Sequence, residues 1–133
     1  MAGEATTIAR PYSEAVFARA KETDSLDAWS ETLEFLAAVV EESTMAGAIA
    51  DPKFDQASLS ELMLEIGGDR FNEEGQNLVK MLIQNDRLQV SGAIADLYEQ
   101  LKAESQRVLQ VHVRSAYTLQ QAQEKQIADA LKA

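Results

Sequence analysis

Side chains able to do chemistry are few in this sequence, and their spacing suits it poorly. His112 is the single histidine and there is no cysteine. A zinc site needs several nitrogen, sulfur or carboxylate ligands converging on one point, so a lone imidazole is a poor start. Any Ser-His-Asp or Cys-His arrangement would have to spend the same residue. His112 reads instead as a solvent-facing strand residue. Carboxylates are plentiful, with Glu41-Glu42 and Glu73-Glu74 side by side. Neighbouring helical residues point about 100° apart, so these pairs read as solvated helix faces. Glu73-Glu74 also favours the positive end of a helix dipole. Gly67-Gly68-Asp69 matches neither phosphate-binding glycine pattern and reads as a helix stop. The sequence therefore predicts no catalytic residue, no cofactor and no metal.

Composition narrows the class further. A chain of 133 residues is one domain, or one domain and a fragment of a second. Hydrophobic residues make up 46% and aromatics 6%, the aliphatic supply being mostly Ala and Leu. Two prolines and six glycines leave little punctuation, which predicts long helices with short connections. Twenty-two acids against twelve bases give a net charge of −10. Nucleic acid and anionic membrane surfaces are not expected as ligands, because both need a basic patch and none is visible. Acidity serves solubility or a basic partner segment. The lack of cysteine rules out disulfides and thiolate metal sites. No apolar run approaches the roughly 18 residues that span a bilayer. The N-terminus lacks a signal-peptide core or transit segment, which predicts use in a cytoplasm-like compartment.

The elements that position these residues follow from apolar spacing. A first helix is predicted from about Thr7 to Glu22, capped by Thr6 or Thr7 and with Pro11 in its first turn. Ser25 caps a second helix, whose inward face carries Leu26, Trp29, Leu33, Leu36, Ala37 and Val40. A short third helix, Thr44 to Ile49, stops before Asp51-Pro52. The fourth opens at Asp55–Ser58, presents Leu59, Leu62, Met63 and Ile66, and ends at Gly67-Gly68. The fifth covers Asn72 to Asn85. The sixth starts near Val90, runs to about Ser105 and buries one narrow stripe of Val90, Ile94, Leu97, Tyr98 and Leu101. From Arg107 to Tyr117 the pattern changes to period two, Val111 and Val113 facing one way and His112 and Arg114 the other, the mark of a strand. Thr118 caps a last helix, Leu119 to Leu131. A lone strand cannot satisfy its own backbone groups. The expectation is therefore an all-α six-helix domain over residues 1–105. Residues 106–133 then form the start of a truncated, partly disordered α/β domain.

Two helices carry more apolar surface than a surface helix needs. On the first, Ile8, Ala9, Pro11, Tyr12, Ala15, Val16, Ala18 and Ala20 cover roughly 200° at helical spacing. A stripe a little over about 100° wide is normally enough. On the fifth, Leu78, Val79, Met81, Leu82 and Ile83 also span about 200°, and Gly75 inside that arc lets another helix approach closely. One reading makes both helices central in the bundle, each touching several neighbours. The sharper reading gives them outer margins that line a groove for an amphipathic helix of another protein, and Met81 has the adaptable shape such a surface uses. Arg19 falls in the middle of the first arc, where it needs a carboxylate or carbonyl from the incoming helix or from this chain. Trp29 is expected on the core face of the second helix.

Three blocks, ARPYSEAVFARA, GQNLVKMLIQNDRL and VHVRSAYTLQQAQ, in this order, resemble the δ subunit of bacterial F-type ATP synthases, a family that includes the mitochondrial oligomycin-sensitivity-conferring protein. The resemblance covers about Thr7 to Leu131. It implies a six-helix bundle followed by a smaller α/β domain, of which the chain to Ala133 holds the first strand and helix. It further implies a non-catalytic peripheral-stalk (stator) subunit at the cytoplasmic face of the bacterial inner membrane, without membrane insertion. The partners implied are the N-terminal helix of the α subunit, bound between the first and fifth helices, and the b subunits, met by the C-terminal region. The matching positions are Tyr12, Ala15, Val16 and Arg19 on the first helix and Leu78, Met81, Leu82 and Asn85 on the fifth. The competing readings are a helical adaptor for some other amphipathic helix and an enzyme on a helical scaffold.

Overall fold

The computed structural model describes residues 2–107 together with Ile127, Ala130 and Leu131. Five helices, α1 (Ala2–Glu22), α2 (Leu26–Glu41), α3 (Ser43–Ala50), α4 (Gln56–Gly67) and α5 (Glu73–Gln84), follow in order. A sixth, α6, covers residues 91–107. Short 3-10 turns at Gly68–Arg70 and Leu88–Val90 precede α5 and α6. The described residues include no strand, and Ile127, Ala130 and Leu131 are helical. The backbone groups into two compact units, Met1–Gln100 and Leu101–Ala133.

The predicted strand lies, apart from Arg107, outside the described residues. Arg107 itself is helical, so α6 passes the predicted end at Ser105. The α/β character expected for residues 106–133 thus has no counterpart among the described residues, where the secondary structure is all α-helical and 3-10.

Local chemistry explains the element ends. Asp55 and Asn72 cap α4 and α5, accepting from Ser58 N at 2.7 Å and Gly75 N at 2.7 Å, and so satisfy N–H groups that have no partner inside the helix. Glu42 does the same for α3 through Met45 N at 3.0 Å. The N–H groups of Thr44 and Met45 hold the Glu42 carboxyl below its ordinary value, and that of Ser58 does so for Asp55. Ser25 occupies the cap position of α2, but its hydroxyl pairs with that of Thr23 instead. Helix α1 begins five residues before the predicted start. Ala2–Thr6 is compatible with helix, Glu4 sits in the first turn where the dipole favours an acid, and Thr7 donates back to the Gly3 carbonyl at 2.8 Å rather than capping. Pro11 is therefore interior, on the exposed side of the helix.

The C-termini of α1 and α5 share one device. Asp24 and Asp86 take positive φ, 52° and 57°. Ser25 N reaches Ala20 O and Asp24 N reaches Lys21 O, while Arg87 N reaches Leu82 O and Asp86 N reaches Ile83 O. These are paired 6→1 and 5→2 bonds with Asp where glycine is usual. Helix α4 ends instead on glycine: Gly68 has φ 52° and ψ −125°, backbone that side chains avoid.

Packing centres on α1 and α6. The inward line of α1 is Ala9, Ser13, Val16 and Ala20, all small or medium and all buried. Ser13 Oγ is within 3.1 Å of Ala9 O and 3.2 Å of Ile94 O, linking α1 to α6 without an unmet polar group. Tyr98 is fully buried, donates to Leu26 O at 2.5 Å and meets Phe17 edge-on at 6.2 Å. It thereby joins α6 to α1 and α2. Leu33, Leu36, Met63, Leu82 and Ile94 complete the centre with almost no exposure. Beside it the Phe71 ring packs closely against Gly67, where an added Cβ would stand 2.1 Å from a ring carbon.

Two outcomes follow. Gly67→Ala should destabilise the bundle by about 1–3 kcal/mol through overpacking against Phe71. Gly47→Ala, on a helix with nothing within 4 Å, should stabilise it by about 0.5–1 kcal/mol; urea melts of both variants check the contrast. Burial pushes the Tyr98 phenol up to about 12, with the Glu99 charge adding to the shift. The unfolded phenol titrates near 10. Between those values the folded chain keeps a proton that the unfolded chain releases. Stability should therefore hold up to about pH 10 and then fall, by at most about 1.4 kcal/mol per pH unit. Tyr98→Phe should lose that component of the slope in melts at rising pH.

Candidate partner-binding groove

Two polar links tie α1 to α5. The Arg19 guanidinium donates through Nε to Glu74 Oε1 at 2.5 Å. At the other end Asn85 Nδ2 donates to the Tyr12 hydroxyl at 2.9 Å. The end of α1 thus meets the start of α5 and the middle of α1 meets the end of α5, so the two helices run antiparallel.

Between the links lies an open groove of about 190 Å³. Val16, Trp29 and Leu78, all nearly buried, form its floor, while Ala15 and Met81 stand on its walls. Met81 is 48% exposed, as Ile66 of α4 is at 45%, but it stands beside other apolar lining residues of the groove. Small-molecule sites usually enclose about 300–1,000 Å³, so this volume suits one or two side chains of a docking segment. The small Ala15 leaves room that a larger residue would fill.

The charges on its rim are self-answered. Glu74 raises the Arg19 guanidinium above its ordinary value through its hydrogen bond and charge, and Glu22 adds to this from 3.5 Å. The acid that Arg19 needs is thus internal. Because the pair is solvent-exposed, it orients side chains more than it stabilises the fold.

Of the eight residues predicted for this surface, Tyr12, Ala15, Val16, Arg19, Leu78 and Met81 line the groove. Asn85 closes one end through Tyr12. Leu82 does not reach the surface: it is 0% exposed and packs in the core. A 200° arc cannot by itself tell inner members from outer ones, and Leu82 is an inner one. Gly75 admits an internal neighbour, since its missing Cβ would stand 3.3 Å from Thr32 of α2. Trp29, Glu74 and Asn77 also line the groove and were not predicted for it. The spacing of Glu74 and Asn77 from Leu78 and Met81, four residues in each case, carried that signal. Trp29 lies on α2, and only tertiary packing brings it there.

Elsewhere the acids serve structure. Glu42 caps α3, and Glu73 and Glu74 occupy the first turn of α5. His112 lies outside the described residues. Among the described residues no group of three or more His, Cys, Asp or Glu could hold a metal ion, and no helix is long and apolar enough to cross a membrane.

In class, this is a small helical bundle with an apolar groove between two antiparallel helices. The family model for the ATP synthase delta (OSCP) subunit matches residues 8–133. The ATP synthase subunit delta of Nitrosomonas europaea is 42% identical over 130 residues, 98% of this chain and 73% of that protein. Those of Nitrosospira multiformis and Laribacter hongkongensis are each 42% identical over the same shares. The chain belongs to the ATP synthase delta (OSCP) subunit family.

Adjacent residues on α5 should separate support from surface. Leu82→Ala should cost about 2–5 kcal/mol of stability, whereas Met81→Ala should stay within about 0.5 kcal/mol. Denaturant melts of the two variants distinguish them.

Proposed function

We propose that this chain is the peripheral-stalk subunit that fastens the catalytic head of an F-type ATP synthase. Its helical unit holds the N-terminal helix of an α subunit in the groove between α1 and α5. The observation that carries this reading is the groove itself: an apolar floor with an exposed Met81 on its wall, between helices pinned at both ends. Family membership supports the complex, and the apolar groove supports this place of contact.

The task is mechanical. No bond is made or broken by this subunit; it resists rotation of the head so that torque goes into ATP synthesis. The C-terminal region meets the b subunits, which places the chain at the cytoplasmic face of the inner membrane, outside the bilayer. An isolated segment of the α subunit has little helix in water. Docking must therefore order it, and apolar burial at about 25 cal/mol/Å² has to exceed that cost. A rigid groove helps, because none of the ordering falls on the receptor. Tyr12, Ala15, Val16, Arg19, Leu78, Met81 and Asn85 make the contact, and Leu82 supports them from beneath.

Calorimetric titration with an α-subunit N-terminal peptide tests the assignment. Met81→Asp should weaken binding at least about tenfold, because a carboxylate would have to be desolvated in an apolar contact. Ala15→Trp should weaken it similarly by filling the groove. Circular dichroism should show both variants folded. Unchanged affinity in both would remove the groove from the account.

A further inference from the structure

A second concave surface shares no lining residue with the α1–α5 groove. It is bounded by the ends of α2 and α5, by α3, and by the turn that leads into α4. Its volume is about 720 Å³. Val40, Leu59 and Ile83 form a floor continuous with the core, and half-buried Ile49 and Phe54 extend it up one wall.

The rim of this surface has one sign of charge. Glu41, Asp51 and Asp86 line it, all exposed, and no basic side chain does. The α1–α5 groove differs, since Arg19 and Glu74 there answer one another. Residues 1–100 carry nineteen acidic and seven basic side chains, so the wider field reinforces the rim. An apolar concavity edged by acids focuses that field on whatever enters.

We infer that this surface binds a basic amphipathic helix of another polypeptide, its apolar face on Ile49 and Phe54 and its Lys or Arg side chains on Glu41, Asp51 and Asp86. Charge complementarity selects that occupant. A second copy of this chain brings a net charge of −10 of its own and is repelled. Nucleic acid and anionic lipid are repelled for the same reason. The two grooves then sort segments by chemistry: the neutral one takes apolar side chains, and the acidic one requires flanking cations.

The test is a titration of the full, isotope-labelled chain with a synthetic amphipathic peptide of about 15 residues, carrying a leucine face flanked by lysines. A counterpart peptide with glutamate in place of lysine is run in parallel. The lysine peptide should shift amides in residues 46–54 and at Leu59 and Asp86, and the glutamate peptide should not bind. Raising salt from about 50 to about 500 mM should weaken binding at least about tenfold. The isosteric triple variant Glu41→Gln, Asp51→Asn, Asp86→Asn preserves caps and volume and should weaken it about tenfold. Met81→Asp should leave it unchanged, which separates this site from the α1–α5 groove. Shifts scattered over the acidic surface, shifts confined to the α1–α5 groove, no binding of the lysine peptide, equal binding of the glutamate peptide, or an unaffected triple variant would each overturn the inference.

Discussion

The arrangement of this bundle depends on how closely α1 can sit against α6. Ala9, Ser13 and Ala20 are completely buried, and none of them is large. Their size lets Ser13 reach the Ile94 carbonyl, a contact that a bulkier residue would prevent. Tyr98 then fills the space beside this seam, with its ring against Phe17 and its hydroxyl on Leu26. Once the small face of α1 is committed to α6, the rotation of α1 is fixed. Tyr12 and Ala15 must face sideways, toward α5.

Helix α5 is fixed by different means. Asn72 sets its start, Phe71 packs against Gly67 just before it, and Leu78, Val79, Leu82 and Ile83 are buried. With its inner face so committed, Met81 is left on the outer margin. The two helices meet through polar links at the ends of the groove, Arg19 with Glu74 and Tyr12 with Asn85. The groove thus lies between two helices that are each anchored separately in the core. Such separate anchoring suits the stalk role proposed above, because a receptor that reorganised on binding would lose affinity to its own ordering.

Much of this was legible in residue types and spacing. Asp55 and Asn72 stood at the starts of apolar-periodic runs and cap them as helix chemistry requires. The over-wide arcs on α1 and α5 marked the two helices that flank the groove. What was not legible depended on tertiary choices. The start of α1 was hidden because Thr7 resembles a cap but back-bonds within the helix, which moved Pro11 from the first turn to the interior. The apolar spacing did mark the ends of α1 and α5, at Glu22 and within one residue of Gln84, but not the positive-φ turns at Asp24 and Asp86, which lack the glycine usual there. Leu82 and Met81 have equal apolar character, and only packing makes one core and the other surface. Arg19 lacked an assigned partner until α5 brought Glu74 beside it.

The central claim is that the open margins of α1 and α5 touch the α-subunit helix directly. Intermolecular methyl nuclear Overhauser effects measure this most directly, with methyl-labelled full chain and unlabelled α-subunit N-terminal peptide. Cross-peaks are expected from the peptide to both the Ala15 and the Met81 methyls. A peptide that binds with no cross-peak to either methyl would contradict it.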